Sequence, residues 1–261
     1  MNNEARLSAN TAPADAVLPQ AAPAPVSGFL GIVMLDTRFP RPPGDVGHPD
    51  TFGVRTHVNV VRGVWPAKVV ASAASLRAGR VVPAFINIVR QLERDGARAI
   101  TTSCGFLVLL QKELQAAVKV PLVSSSLLQL PELLAQEEQV GVLTISQTYL
   151  GADHLRAAGV KRDQLPRVLV QGVDPQGEFA TAILGNQPEM DLARAGADVV
   201  QAAVALKARA PGLRTIVLEC TNMPPYARAI QEATGLQVRS LIDSRRLMAA
   251  LRPLGAVPAA V

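Results

Sequence analysis

The chain has 261 residues, of which 49% are hydrophobic and 3% are aromatic, and its formal net charge is +5. This apolar content is enough for a packed core of one large domain or two modest ones. The 26 basic residues are scattered among 21 acidic ones, whereas a nucleic-acid-binding protein clusters its basic side chains and intersperses them with aromatic ones. Composition therefore argues against a nucleic-acid partner.

The amino-terminal segment is rich in Ala and Pro and lacks the basic and apolar regions of a signal peptide. We expect residues 1–27 to be a disordered leader. No apolar run approaches the roughly 18 to 20 residues that cross a bilayer, so no membrane partner is expected. Without an export signal, we expect a reducing, cytoplasmic location in which the two cysteines are free thiols.

From residue 28 onward, short apolar runs alternate with longer stretches of helical spacing. The predicted strands are 28–35, 97–102, 121–124, 140–145, 167–171, 215–219 and 238–242. The predicted helices are 81–95, 105–118, 127–138, 151–158, 189–210 and 225–234. Strands that alternate with helices indicate parallel sheets built from βαβ units, so the predicted fold class is α/β.

The two cysteines each follow a predicted strand. Cys104 lies in TTSCGF after strand 97–102, and Cys220 lies in ECTNMPP after strand 215–219. Ligands of open α/β sheets bind beyond the carboxyl ends of the strands, where the next helix offers unpaired N–H groups. Because a helix N-terminus lowers the pKa of a thiol from about 8.5 toward neutrality, we predict a pocket with two thiols of lowered pKa. A lone buried cysteine is more often a core residue, but here two thiols share the same sequence context.

Such a pair suits proton transfer at a carbon next to a carboxylate or carbonyl. Inversion at that carbon needs a base on one face, an acid on the other, and donors for the developing negative charge. The sequence contains neither GxGxxG nor GxxxxGK[ST], and no paired Cys/His spacing, so neither a nucleotide cofactor nor a metal is expected.

The paired segments TTSCGF and ECTNMPP, with TISQTY between them, resemble the aspartate/glutamate/hydantoin racemase superfamily over about residues 28–245. This resemblance implies two pseudo-symmetric domains, each a mainly parallel sheet flanked by helices, with the active site between them. It implies a first domain of residues 28–121 plus 225–261, to which the strand 238–242 returns, and a second domain of residues 122–224. It also implies a cofactor-independent racemase or epimerase of an amino acid or a hydantoin derivative, and makes a homodimer plausible.

Residue roles follow from the same resemblance. Cys104 and Cys220 would be the acid/base thiols. The donors to the substrate carboxylate would be Ser103, Gly105, Thr221 and, in the TISQTY loop, Thr148. Asp36 and Arg38, after the first strand, would select the substrate.

The second cysteine motif departs from the family pattern. Glutamate and aspartate racemases commonly have Gly-Cys-Thr-His where this chain has Glu219-Cys220-Thr221-Asn222. Asn222 is a candidate substrate-binding residue that can orient a group but cannot exchange protons near neutral pH. A maleate-isomerase-like or arylmalonate-decarboxylase-like enzyme and a non-catalytic small-molecule binder stay as alternatives. The proline-rich stretch RFPRPPGDVGHPDTFG is interpreted as a surface or interface loop, in preference to a pocket lid.

Overall fold

Two four-stranded parallel sheets form the frame of the computed structural model, which describes residues 27–70 and 81–255. The first sheet contains β1 (Phe29–Leu35), β2 (Thr56–Val61), β3 (Ala97–Thr102) and β4 (Leu122–Val123) in the order β2-β1-β3-β4. The second contains β5 (Val140–Thr144), β6 (Val168–Gly172), β7 (Thr215–Leu218) and β8 (Gln237–Arg239) in the order β6-β5-β7-β8. All neighbouring strands are parallel. The two halves therefore repeat one strand order, and the predicted α/β class is confirmed.

Helices and short 3-10 turns connect these strands. The α-helices are α1 (Pro66–Val70), α2 (Val81–Arg94), α3 (Gln111–Ala116), α4 (Leu130–Leu134), α5 (Ala152–Ala157), α6 (Glu178–Leu184), α7 (Leu192–Arg209), α8 (Ala227–Thr234) and α9 (Arg245–Leu251). The 3-10 turns are Gly105–Leu110, Ser126–Gln129, Arg162–Arg167, Pro224–Tyr226, Leu241–Asp243 and Arg252–Leu254. The stretches predicted as single helices at 105–118 and 127–138 each begin as a 3-10 turn. The predicted leader, residues 1–27, lies outside the described residues except for Ser27.

The chain crosses between the halves later than the sequence predicts. β4 pairs with β3, so residues 122 and 123 belong to the first sheet. β8 pairs with β7 and not with any strand of the first sheet, so the predicted return of strand 238–242 is wrong. The reason is that β7, α8 and β8 form one βαβ unit, whose short connection places consecutive strands side by side.

The return to the first half follows β8. Leu241, Leu247 and Leu251 are buried in one cluster with Leu30 and Ile32 of β1. The C-terminal helix α9 therefore covers the first sheet. Within the described residues, no helix is both long and apolar enough to span a membrane.

Candidate active site

Cys104 and Cys220 occupy equivalent positions in the two halves. Cys104 follows β3 and Cys220 follows β7, and each of these is the third strand of its sheet in chain order. Both thiols are free, as predicted, and both are buried. They line one cavity of about 20 Å³, which has room for about one water molecule. The repeat of the strand order brings the two sulfur-bearing loops together.

Four other residues predicted for the site line the same cavity: Ser103, Gly105, Thr221 and Asn222. Two of them also join the halves, because the Thr221 hydroxyl donates to the Ser103 carbonyl oxygen at 2.7 Å. The Ser103 hydroxyl oxygen accepts from the backbone N–H of Leu35 at 3.1 Å. The Thr221 hydroxyl is therefore engaged between the two sheets, and its expected role as a carboxylate donor stays a prediction.

Different groups surround the two sulfur atoms. Cys104 is the N-cap of the 3-10 turn Gly105–Leu110, and the backbone N–H groups of Phe106 and Leu107 lower the pKa of its thiol. The N–H of Leu107 donates to the Cys104 carbonyl oxygen at 3.1 Å. The thiol of Cys220 donates to Oδ1 of Asn222 at 3.5 Å. The backbone N–H of Asn222 likewise lowers the pKa of Cys220. The two thiols therefore differ in the Asn222 side-chain oxygen, because a carbonyl acceptor favours a protonated thiol.

Burial raises the pKa of both thiols. The pKa of Cys104 is raised to about 12, first by burial and then by the negative charge of Glu219. The pKa of Cys220 is raised by the same two causes in the same order. The prediction of thiol pKa values near neutrality is therefore wrong for this closed cavity. The N–H groups do lower the pKa of Cys104, but burial outweighs them.

Glu219 directly precedes Cys220 and lies against Gly105, the residue after Cys104. Its sequence context indicates only a departure from the family pattern, not a place in the site. Glu219 is 1% exposed and lines the cavity. Its Oε2 accepts from the Thr144 hydroxyl at 2.8 Å, while its Oε1 has no hydrogen-bond partner among the described residues. Burial raises the pKa of Glu219 to about 8. The carboxyl group is consequently protonated for the most part at neutral pH.

Gly105 is required by the position of Glu219. A Cβ atom at residue 105 would overlap both the carbonyl oxygen and Oε1 of Glu219. The absence of a side chain at Gly105 therefore lets the carboxyl group lie against the turn that follows Cys104.

The proline-rich loop, residues 38–53, contributes a buried ion pair behind Cys220. Asp45 is 1% exposed; its Oδ2 accepts from Nδ2 of Asn222 at 2.6 Å and its Oδ1 from Nη1 of Arg41 at 2.7 Å. This contact fixes the amide orientation, because Nδ2 faces Asp45 and Oδ1 is left for the Cys220 thiol. The loop also bonds to the second half through the N–H of Val46 and the Thr221 carbonyl, at 3.2 Å. The loop thus has exposed residues, as a surface loop would, and also contacts the second half behind Cys220.

The other three predicted site residues lie outside the thiol cavity. Thr148 is exposed and lines a separate cavity of about 860 Å³ beyond β5 and β6. Asp36 and Arg38 line a third cavity of about 370 Å³ beside Trp65. The Asp36 carboxylate accepts from the N–H of Gly63 at 2.8 Å. The expected roles of these three residues would require a rearrangement of the closed form.

The end of α6 separates these cavities. Leu184 lines all three. Two residues later, Asn186 reaches the first half, where its Oδ1 accepts from the N–H of Arg38 at 2.7 Å and its Nδ2 donates to the Asp36 carbonyl at 3.1 Å. Asn186 has φ 51° and is the one non-glycine residue with positive φ among the described residues. This pair of hydrogen bonds, the Asn186 latch, holds α6 over the thiols.

Comparison with known proteins decides the family. Residues 56–251 match the sequence model described as Asp/Glu/Hydantoin racemase. The chain belongs to the Asp/Glu/hydantoin racemase family. Solved structures of this fold include allantoin racemase from Pseudomonas fluorescens (TM-score 0.53, 16% identity, 88% of this chain and 94% of that one). Picrophilus torridus aspartate racemase (TM-score 0.53, 13% identity, 88% and 96%) and a mutant of arylmalonate decarboxylase (TM-score 0.53, 18% identity, 89% and 97%) are also similar.

Among curated proteins, the chain is similar to lyases. It is 31% identical over 226 residues to a dimethylsulfoniopropionate lyase of Durusdinium sp. clade D, covering 82% of this chain and 72% of that protein. It is 30% identical over 226 residues to dimethylsulfoniopropionate lyase 5 of Emiliania huxleyi (strain CCMP1516), covering 82% of this chain and 43% of that protein. The chain thus spans less than half the length of this second relative.

Proposed function

We propose that the protein is a cofactor-independent enzyme that removes a proton from the carbon next to a carboxylate, and that its reaction is the elimination of dimethyl sulfide from dimethylsulfoniopropionate. The observation that carries this proposal is the pair of free thiols, Cys104 and Cys220, on one small cavity. Similarity to lyases of about 30% identity over four-fifths of the chain supports elimination as the reaction.

The chemistry needs one base. A thiolate takes a proton from the carbon next to the carboxylate, and the electron pair of that C–H bond becomes the carbon–carbon double bond. The bond between the β-carbon and the sulfonium sulfur breaks, and its electron pair stays on the sulfur. The products are acrylate and neutral dimethyl sulfide. The thiol then returns its proton to water, which resets the enzyme.

We assign the base to Cys104 and the acid to Cys220. The thiol of Cys220 donates to Oδ1 of Asn222, which favours its protonated form, whereas two backbone N–H groups lower the pKa of Cys104. Asp45 holds the Asn222 amide in that orientation. Cys220 is therefore kept protonated and can donate to developing negative charge on the substrate carboxylate.

Racemisation is the second candidate. Elimination uses one thiol as base, but two thiols in one cavity can serve both faces of a stereocentre. A racemase of an amino acid or a hydantoin derivative would return a proton from Cys220 to the carbon from which Cys104 had removed one. The presence of the second thiol favours racemisation, whereas the similarity to lyases favours elimination.

One experiment separates the two. The purified protein is incubated in deuterium oxide with dimethylsulfoniopropionate and, separately, with single-enantiomer amino acids and hydantoins. Gas chromatography follows dimethyl sulfide, and NMR follows acrylate and deuterium at the α-carbon. We expect equal amounts of dimethyl sulfide and acrylate, with no exchange in the amino acids or hydantoins. Exchange with loss of optical rotation, and no dimethyl sulfide, would replace elimination with racemisation.

A further inference from the structure

We infer that Glu219 is the group that recognises a positive charge on the substrate, so that the thiol cavity takes small zwitterions with a carboxylate at one end and a sulfonium or quaternary ammonium group at the other. This inference rests on the proposed function for the carboxylate end of the ligand. It assigns a specificity-determining role to a residue that elimination chemistry alone does not require.

The geometry of Glu219 leaves one oxygen, Oε1, buried and without a hydrogen-bond partner among the described residues. Oε2 is held by Thr144, whereas Oε1 has no hydrogen-bond partner among the described residues and lies against Gly105, which also lines the cavity. A buried polar atom without a partner is costly. Such an atom in a cavity wall is consistent with a group that meets its partner when a ligand binds.

A cation fits this wall better than a neutral donor does. The described residues that line the cavity include no Lys, Arg or His, and the nearby Arg41 is already paired with Asp45. The titratable groups on the cavity are thus two thiols and one carboxyl group. A sulfonium or trimethylammonium group offers charge without N–H donors, and a carboxylate attracts it strongly where water is excluded.

A matched pair of unreactive ligands tests this directly. Trimethylammoniopropionate and 4,4-dimethylpentanoate have the same shape and the same carboxylate, and they differ in one positive charge. Isothermal titration calorimetry measures the affinity of both ligands for the native protein, Glu219→Gln and Glu137→Gln. The Glu219→Gln variant keeps the size of the side chain and removes its charge. Glu137 is a partly buried glutamate outside the thiol cavity, whose Oε1 accepts from the Thr215 hydroxyl at the amino end of β7, so its variant is the control.

We expect the native protein and Glu137→Gln to bind the cation at least ~10-fold more tightly than the neutral ligand, and Glu219→Gln to bind the two about equally. At pH 7, binding of the cation should also release a proton from Glu219. The number of protons released is measured by repeating the titration in buffers of different ionisation enthalpy. Release that persists in Glu219→Gln would come from Cys104 or Cys220, and would overturn the assignment. A native protein that binds both ligands equally, or neither, would also overturn it.

The two proposals fail separately. Formation of dimethyl sulfide without any charge preference would contradict the role of Glu219 and leave elimination in place. A charge preference that Glu219→Gln abolishes, in a protein that forms no dimethyl sulfide, would support the role of Glu219 and reject elimination.

Discussion

The contact between Gly105 and Glu219 ties the two halves together at the thiols. The Cα of Gly105 lies in the turn that presents Cys104, and Glu219 precedes Cys220. Any side chain at residue 105 displaces the carboxyl group or the turn. This contact therefore sets the relative position of the two sulfur atoms.

Gly105→Ala is expected to disturb this arrangement. Overpacking of a buried contact costs about 1–3 kcal/mol of unfolding free energy, and we expect kcat/KM to fall at least ~10-fold because small displacements of catalytic groups are costly. Thermal unfolding and dimethyl sulfide formation measure the two effects. Gly212→Ala is the control, since a Cβ there meets no atom within 4 Å. Native activity in Gly105→Ala would show that this contact does not position the thiols.

For the individual site residues, the sequence predicts where the two thiols lie but not that their pKa values are raised. The positions of Cys104 and Cys220 at strand ends followed from the apolar runs before them. Their raised pKa values did not, because burial comes from distant segments such as Phe39 and Leu184 that no local pattern connects to either cysteine. Asp45 was missed for the same reason, since its partner Asn222 is 177 positions away along the chain.

Helix α6 contributes Ile183 and Leu184 to the wall of the thiol cavity. Because the cavity has room for about one water molecule, a larger substrate requires this wall to move. The latch joins the end of α6 to the loop that follows β1 through two hydrogen bonds. Leu184 lies over the thiols on the same segment. Opening of this segment would join the thiol cavity to the larger ones beside it.

Removal of the latch should expose the thiols. Asn186→Gly keeps a residue suited to positive φ and removes both hydrogen bonds. Because each bond contributes about 1 kcal/mol, we expect iodoacetamide to alkylate Cys104 and Cys220 at least ~5-fold faster than in the native protein. Mass spectrometry of quenched samples gives the rates. Asn186→Asp keeps the acceptor for the Arg38 N–H, so its alkylation rate should lie between those of the native protein and Asn186→Gly. Equal alkylation rates in all three proteins would show that closure does not depend on this residue.

The central elements were predictable and the peripheral ones were not. β1 and β5 are buried throughout and read as continuous apolar runs. β2 was missed because it is an edge strand whose Thr56, His57 and Asn59 interrupt the apolar pattern. The helices α1, α6 and α9 have five to seven residues, too few for helical spacing to stand out.

A buried acid at the centre of the molecule makes its stability depend on pH. The pKa of Glu219 is raised to about 8 from an ordinary value of 4.5, so the folded state binds the proton more tightly than the unfolded state does. The bound proton therefore stabilises the folded state fully below pH 4.5, and this stabilisation is lost as the pH rises through 8.

Chemical denaturation should reveal this dependence. We expect the free energy of unfolding of the native protein to fall relative to that of Glu219→Gln between pH 5 and 8.5, by a few kcal/mol at most. The two thiols are present in both proteins, so their own ionisation cancels to first order in this comparison. A difference between the two proteins that stays constant with pH would mean that the carboxyl group ionises normally in the fold.

The architecture of two similar halves followed from the family resemblance, and its details depended on packing. Matching motifs around two cysteines indicated a repeat, and the two sheets have the same strand order. The return of the C-terminal segment was placed too early because a strand pattern at 238–242 does not reveal which sheet it joins. The short connection through α8 decides that β8 pairs with β7. The C-terminal segment returns to the first sheet only near Leu241.

The most direct measurement is the rate of dimethyl sulfide formation by the native protein, Cys104→Ser and Cys220→Ser at equal folded concentration. We predict a fall in kcat/KM of about 10²–10⁴-fold in each variant, with the larger loss in Cys104→Ser, because a serine hydroxyl neither ionises nor donates a proton as readily as a thiol does. Circular dichroism would verify that both variants stay folded. Native rates in either variant would contradict joint action of the two thiols on one substrate.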